Sequence, residues 1–217
     1  MTRLLVERRD ERGVSGLLEV VMTIMLMAIV LAAVFAATMS TTRATEGTGD
    51  RLQNLDEARV LMATTSKDVR TAVRLSAGTS PFATADKNEA VFYGNLDTTS
   101  APKKVRIYID AQHRLIEQVW GPDPGSTAPN YTYDTTTPTV RLVGRYVANT
   151  SAKPIFTYLD ANDDPLSPTP LTGTNLLAIK AVRIELVVYK NSAFNGHSTT
   201  LVNRVRLPNV DYNAVAG

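Results

Sequence analysis

The chain has 217 residues, of which 44% are hydrophobic, with 23 Lys and Arg against 21 Asp and Glu and no Cys. A formal charge of +2, with basic and acidic side chains interspersed, argues against a nucleic-acid surface or a polybasic membrane patch. Lack of Cys removes disulfide frameworks and cysteine metal sites, and the length beyond an N-terminal segment suits one globular domain.

A charged leader with Arg3, Arg8, Arg9 and Arg12 ends at Gly13. Behind it Glu19 heads an apolar run from Val20 to Ala37, and no further charge appears until Arg43. About 20 helical residues cross the roughly 30 Å hydrocarbon layer, so the run has the length of a membrane helix. A carboxylate at the head of such a helix is costly and calls for a partner. A secretory signal peptide would have an apolar region of only about 7 to 15 residues, with Val34-Phe35-Ala36 as a loose cleavage site. A plain signal anchor fits the length, with the leader arginines on the inner side.

A third reading uses more of the residues. Arg12-Gly13-Val14-Ser15-Gly16-Leu17-Leu18-Glu19-Val20 resembles the class III leader of type IV pilins and type II secretion pseudopilins. The resemblance implies cleavage between Gly13 and Val14 by a prepilin peptidase, N-methylation of Val14, and retention of the apolar helix as a filament core. It implies as partners that peptidase, other pilin or pseudopilin subunits and an assembly platform in the cytoplasmic membrane. In the family the acid is the fifth mature residue; here Gly16 stands as an insertion and Glu19 is the sixth. In a low-dielectric setting Glu19 would pair with the α-amine of Val14 on a neighbouring subunit, and such pairing would fix axial register. Ala28, Ala32, Ala33, Ala36 and Ala37 would let helices approach closely.

Past the apolar run, Leu55, Ala58, Met62, Thr65, Val69 and Val73 recur at the spacing of one helix face, with Asp56, Arg59, Lys67 and Arg70 elsewhere. The pattern predicts an amphipathic helix opened by Asp50 with Gln53 as a capping pair and closed near Gly78. Glu46-Gly47-Thr48-Gly49 is expected to hinge or break the helix, since each Gly costs about 1 kcal/mol relative to Ala.

From Ala90 the pattern turns to strands. Val105, Ile107 and Ile109 alternate with Arg106 and Tyr108, and 115–120 follows across Asp110-Ala111-Gln112, predicting a hairpin. Further strands are expected over 140–147, 155–159, 181–189 and 201–207, mostly antiparallel. Val182, Ile184, Leu186 and Val188 should face the helix while Arg183 and Glu185 face out. Pro and Thr cluster over 121–138 and 165–174, marking long loops. The stretches 59–74, 156–166 and 181–186 look like pieces of the larger minor pilins and pseudopilins of the W and J types.

Little in the sequence points to chemistry. His113, expected in a strand, and His197, in a loop, are the only imidazoles, and no zinc spacing surrounds them. No Gly-rich phosphate loop or nucleophile elbow is present, so an enzyme is not expected. Asp160, Asn162 and Asp164 have the alternating oxygens that open a calcium loop. Pro165 stands where such a loop has Gly, and no bidentate Glu follows; a hairpin turn rich in Asp and Asn accounts for the same residues, so no metal or other cofactor is expected. Trp120 with Tyr131 and Tyr133 reads as core packing or loop anchoring ahead of an exposed aromatic patch.

The expectation is an α+β, pilin-like protein in which a long N-terminal helix packs on a mostly antiparallel sheet. Residues 1–13 form the cytoplasmic leader, 14–45 the membrane and filament-core helix, 46–78 the amphipathic spine after the Gly hinge, and 79–217 the extracytoplasmic β domain. The expected role is that of a structural subunit in the cytoplasmic membrane, N-terminus inside and C-terminal domain outside, at the cell surface or in a filament after assembly. From a different class, the alternative is a single-pass, membrane-anchored binding module that never polymerises.

Overall fold

The computed structural model describes residues 3–97, 101–189 and 198–210. The chain divides into two compact units, Met1–Gly49 and Asp50–Gly217. One helix, α1, is assigned across Arg3–Arg70, and antiparallel sheets follow it, so the class is α+β.

Two boundaries of the predicted spine differ from expectation. The backbone stays helical through 46–49, so the two glycines do not interrupt the ladder, although the division between compact units falls after Gly49. Extending a formed helix adds one hydrogen bond per residue, whereas a break would require a second nucleation, and two glycines do not outweigh that. Asp50 is accordingly inside the helix and opens nothing. At the far end α1 stops at Arg70, not near Gly78. Thr71 Oγ1 donates to the Asp68 carbonyl at 2.6 Å, and the next residues leave the helix to lie along a strand. Val73 N donates to Tyr93 O at 2.7 Å, and Asn95 N donates to Thr71 O at 3.2 Å. Gly78, at φ +80°, serves a later turn.

The first sheet is a five-stranded antiparallel meander in sequence order: β1 (Phe82–Ala85), β2 (Glu89–Gly94), β3 (Lys103–Ile109), β4 (Leu115–Trp120) and β5 (Thr139–Gly144). The second has order β6 (Phe156–Leu159), β7 (Ala181–Val188), β8 (Thr199–Arg206), again antiparallel, with a short helix, α2 (Thr174–Ala178), before β7. The predicted hairpin of β3 and β4 is present in full register, from Ile109 opposite Leu115 to Lys104 opposite Trp120. In β7 the buried Val182, Ile184, Leu186 and Val188 share one core with Ala58, Leu61, Met62 and Val69 of α1, while Arg183 is exposed, as the alternation requires. Strand β1 has no counterpart among the expected elements; Phe82 and Ala85 of this short strand enter the same core.

The sheets are tied together through the β1–β2 turn. Phe156 N donates to Lys87 O at 2.9 Å, Ile155 N to Asn88 Oδ1 at 3.1 Å, and the buried Tyr158 hydroxyl to Asp86 O at 3.1 Å. The loop before β6 is held to β7 by Asn149, whose amide donates to Glu185 O and Lys153 O and accepts from Val187 N, so every buried polar atom of the side chain is used.

Gly144 closes β5 where α1 crosses the sheet. A Cβ there would lie 2.8 Å from Leu61 Cγ and 2.9 Å from Cδ1, and Leu61 is fully buried. Gly144→Ala is therefore expected to cost about 1–3 kcal/mol by overpacking, read as a lower urea midpoint of the full chain in lipid nanodiscs. Combining it with Leu61→Ala should cost less than the sum of the single changes, because the two sites touch.

Candidate functional site

One helical segment among the described residues, Gly16–Thr45, is long and apolar enough to cross a membrane. At 1.5 Å per residue its 30 residues extend about 45 Å, more than the hydrocarbon thickness. Its large apolar side chains, Leu17 through Met39, are exposed on every side of the helix. Apolar surface on that scale belongs against lipid or against other helices. The hydroxyls fit the same setting: Thr23 donates to Glu19 O at 2.7 Å, Thr38 to Val34 O at 2.9 Å and Thr41 to Ala37 O at 3.0 Å. A hydroxyl satisfied by its own helix carries little unmet polarity into an apolar medium.

Glu19 lies on this segment, one turn from its N-terminal end. Among the described residues its carboxylate has no hydrogen-bond or ion-pair partner. Gly13 and Val14 lie in the helical backbone of α1; of the Val14 side chain nothing is described.

The oxygens of Asp160, Asn162 and Asp164 are arranged as a turn. Asp160 Oδ1 accepts the backbone N–H of Asn162 at 2.8 Å and of Asp164 at 3.0 Å, Asp163 takes φ +71°, and Leu159 bridges Pro165 across the neck. The carboxylate of Asp163 pairs with Arg204. The β3–β4 turn repeats the design fifty residues earlier: Asp110 Oδ1 accepts from Gln112 N and Arg114 N, both at 2.9 Å, and His113 takes φ +58°. Both read Asp-Ala-x-x-x after an aromatic residue two places upstream, Tyr108 or Tyr158. The shared chemistry is an Asp side chain capping a tight turn, which uses the oxygens a cation would need. Asp160→Ala is expected to cost about 1–2 kcal/mol through two lost bonds, and millimolar calcium should leave the wild-type melting temperature unchanged.

His113 is thus a turn residue, not a strand residue, because the tight reversal needs a left-handed position after Gln112; its Nδ1 lies 3.3 Å from Val147 O. His197 lies outside the described residues. Trp120 is buried, and Tyr133 anchors the loop over 121–138 by donating to Pro102 O at 2.9 Å, its ring centroid 5.4 Å from that of Tyr93. Burial and the neighbouring tyrosines push the Tyr133 hydroxyl well above its ordinary pKa, so it stays protonated as a donor.

A charged cluster inside the domain has no signature in the residue pattern. Asp68 of α1 and Glu117 of β4 are both buried, and Arg141 of β5 reaches both: Nε donates to Glu117 Oε2 and Nη2 to Asp68 Oδ2 at 3.2 Å. Burial, then the Glu117 charge, raise the Asp68 carboxyl from 3.8 to about 7, against the opposing pull of Arg141 and Lys67. The spacing of Glu117 and Arg141 on inward strand positions, with Asp68 one turn before Thr71, is visible only once β4 and β5 are paired, Glu117 opposite Arg141.

No protein-family model matches the chain, and no curated protein matches its sequence.

Proposed function

We propose that the chain is a minor pilin-like or pseudopilin subunit, a structural protein held in the cytoplasmic membrane by its N-terminal helix, leader inside and β domain outside. A prepilin peptidase removes residues 1–13, Val14 is methylated, and the apolar helix assembles with other pilin or pseudopilin subunits through a membrane platform into a type IV pilus or type II secretion-like filament. The observation that carries this reading is an apolar, fully exposed helical segment whose single acid, Glu19, has no partner among the described residues. A buried carboxylate without a partner is costly, and a neighbouring subunit's amine would meet that need. The sequence from Arg12 to Val20 adds the cleavage signal that the pilin resemblance calls for.

Intact mass tests the reading. Co-expression with a prepilin peptidase should remove the mass of residues 1–13 and add one methyl group, and omission of the peptidase should leave the precursor. The same mass under both conditions would assign the chain to the membrane-anchored module that does not polymerise.

A further inference from the structure

The face of the five-stranded sheet turned away from the main core is partly roofed by the loop over 121–138. Val91, Ile116 and Trp120 are buried there without belonging to that core. Between roof and sheet lies a cleft of about 480 Å³, a size in the range of roughly 300–1,000 Å³ usual for small-ligand sites. The roof is fixed by its own bonds: Asp123 N donates to Thr132 O at 2.9 Å, Asp134 N to Asp123 Oδ1 at 2.6 Å, and the Tyr133 hydroxyl to Pro102 O. The cleft is therefore formed before anything enters it, which lowers the ordering cost of binding.

Two cations line it, and they differ. Arg106 is committed, with Nε and Nη2 on Glu89 at 2.9 and 3.1 Å, Nη1 on Gln118 Oε1 at 3.2 Å, and its guanidinium 4.1 Å from the Tyr108 ring centroid. Lys104 is not: its Nζ lies 5.9 Å from the Trp120 ring centroid, and among the described residues no carboxylate lines the cleft. Beside it the Trp120 ring is 7% exposed, and its indole N–H, itself out of contact with solvent, has no acceptor among the described residues. The rest of the wall mixes hydroxyl and amide groups, Thr84, Thr135 and Gln118, with the small apolar Ala83 and Val91.

One uncompensated ammonium asks for one negative charge. A rim of hydroxyl and amide groups over small apolar side chains suits a ring that has C–H faces and hydroxyl edges. We propose that this cleft binds an acidic saccharide of the uronate type, its carboxylate on Lys104 Nζ and its hydroxyls on Gln118 and Thr135. The site lies wholly within the β domain and does not depend on how the N-terminal helix is used.

Trp120 is the sole tryptophan of the chain, so intrinsic emission reports on this cleft alone. The full chain in lipid nanodiscs would be titrated with a hyaluronan tetrasaccharide, with neutral chitotetraose, and with the carboxylate of acetyl-trialanine. The acidic sugar should give a saturable change in emission, and the two comparators should bind about tenfold more weakly or not at all. Lys104→Met, which keeps the apolar stem over the indole, should weaken the acidic sugar about tenfold while leaving the melting temperature unchanged. Thr135→Val, on the roof and away from the strands, should weaken it severalfold. No saturable change with the tetrasaccharide, equal binding of the neutral sugar, equal or tighter binding of the peptide, or an unaltered affinity in Lys104→Met would each overturn the proposal.

Discussion

Glu19→Val is expected to leave the protein in the membrane and to reduce its recovery in sheared filaments by about a hundredfold or more. Valine is the more apolar residue, so insertion of the Gly16–Thr45 helix is not impaired. Incorporation is another matter if the carboxylate meets the Val14 amine of a neighbour. Removing one partner from a desolvated charge pair costs about 3–5 kcal/mol, because the other charge stays buried and unpaired, and each 1.4 kcal/mol is about tenfold in an equilibrium constant. Glu19→Asp keeps the charge and shortens the reach, and should give an intermediate recovery. The offset of the acid by one residue, introduced by Gly16, bears on the same question. Deleting Gly16 would move Glu19 to the fifth mature place and should raise recovery or leave it unchanged. Wild-type amounts of Glu19→Val in filaments, measured by quantitative mass spectrometry, would remove the ionic pairing from the account.

The elements that could be read from residues alone are those whose pattern has a single cause. The β3–β4 hairpin and the alternation in β7 follow from one-sided burial, and the apolar stretch follows from its length. Strand β1 was missed because its four residues are too few to show a period. The helix end was missed because residues 71–73 have helical spacing but find better partners along β2, where β1 leaves Tyr93 and Gly94 uncovered. In β4 the alternation is blurred: Leu115 and Glu117 point to the core side, while Ile116 and Trp120 are buried on the other face under the 121–138 loop. A roof contributed by a distant loop leaves no local signal in the strand. The turn at Asp160 was expected from its Asp and Asn content; a calcium-like spacing uses the same residue types, and the Oδ1 acceptor bonds show the turn geometry directly. Of the candidate site, the apolar helical segment was legible from its length. The buried acids Asp68 and Glu117 and the cation Arg141 that reaches them were not, because a lone acid in a strand or helix reads as a solvated face until strand pairing and packing bury it.

That inward cluster leads to a pH dependence with a definite sign. Two buried carboxylates share one arginine, whose side chain is half-exposed at 53%. Because burial and Glu117 raise the Asp68 carboxyl from 3.8 to about 7, the folded chain holds that proton more tightly than the unfolded chain does. The resulting stabilisation is complete below pH 4 or so and is lost as pH rises through about 7. The β domain should therefore melt at a lower temperature at pH 8 than at pH 5.5. Asp68→Asn keeps an oxygen to accept from Arg141 and removes the like-charge contact with Glu117. It is expected to raise the melting temperature at pH 8 and to flatten the profile between pH 5.5 and 8. Arg141→Met leaves both carboxylates without their cation. Its cost at pH 8 is expected to be about 2–3 kcal/mol, below the roughly 3–5 kcal/mol of a fully buried pair because water already reaches the guanidinium. At pH 5.5 the proton held by Asp68 takes over part of the arginine's role, so the deficit should shrink, and combining Arg141→Met with Asp68→Asn should recover part of it at pH 8. Thermal unfolding of the full chain at both pH values gives all of these quantities. A deficit in Arg141→Met that is the same at pH 5.5 and 8, or an Asp68→Asn profile as steep as that of the wild type, would show that the Asp68 proton does not set the profile.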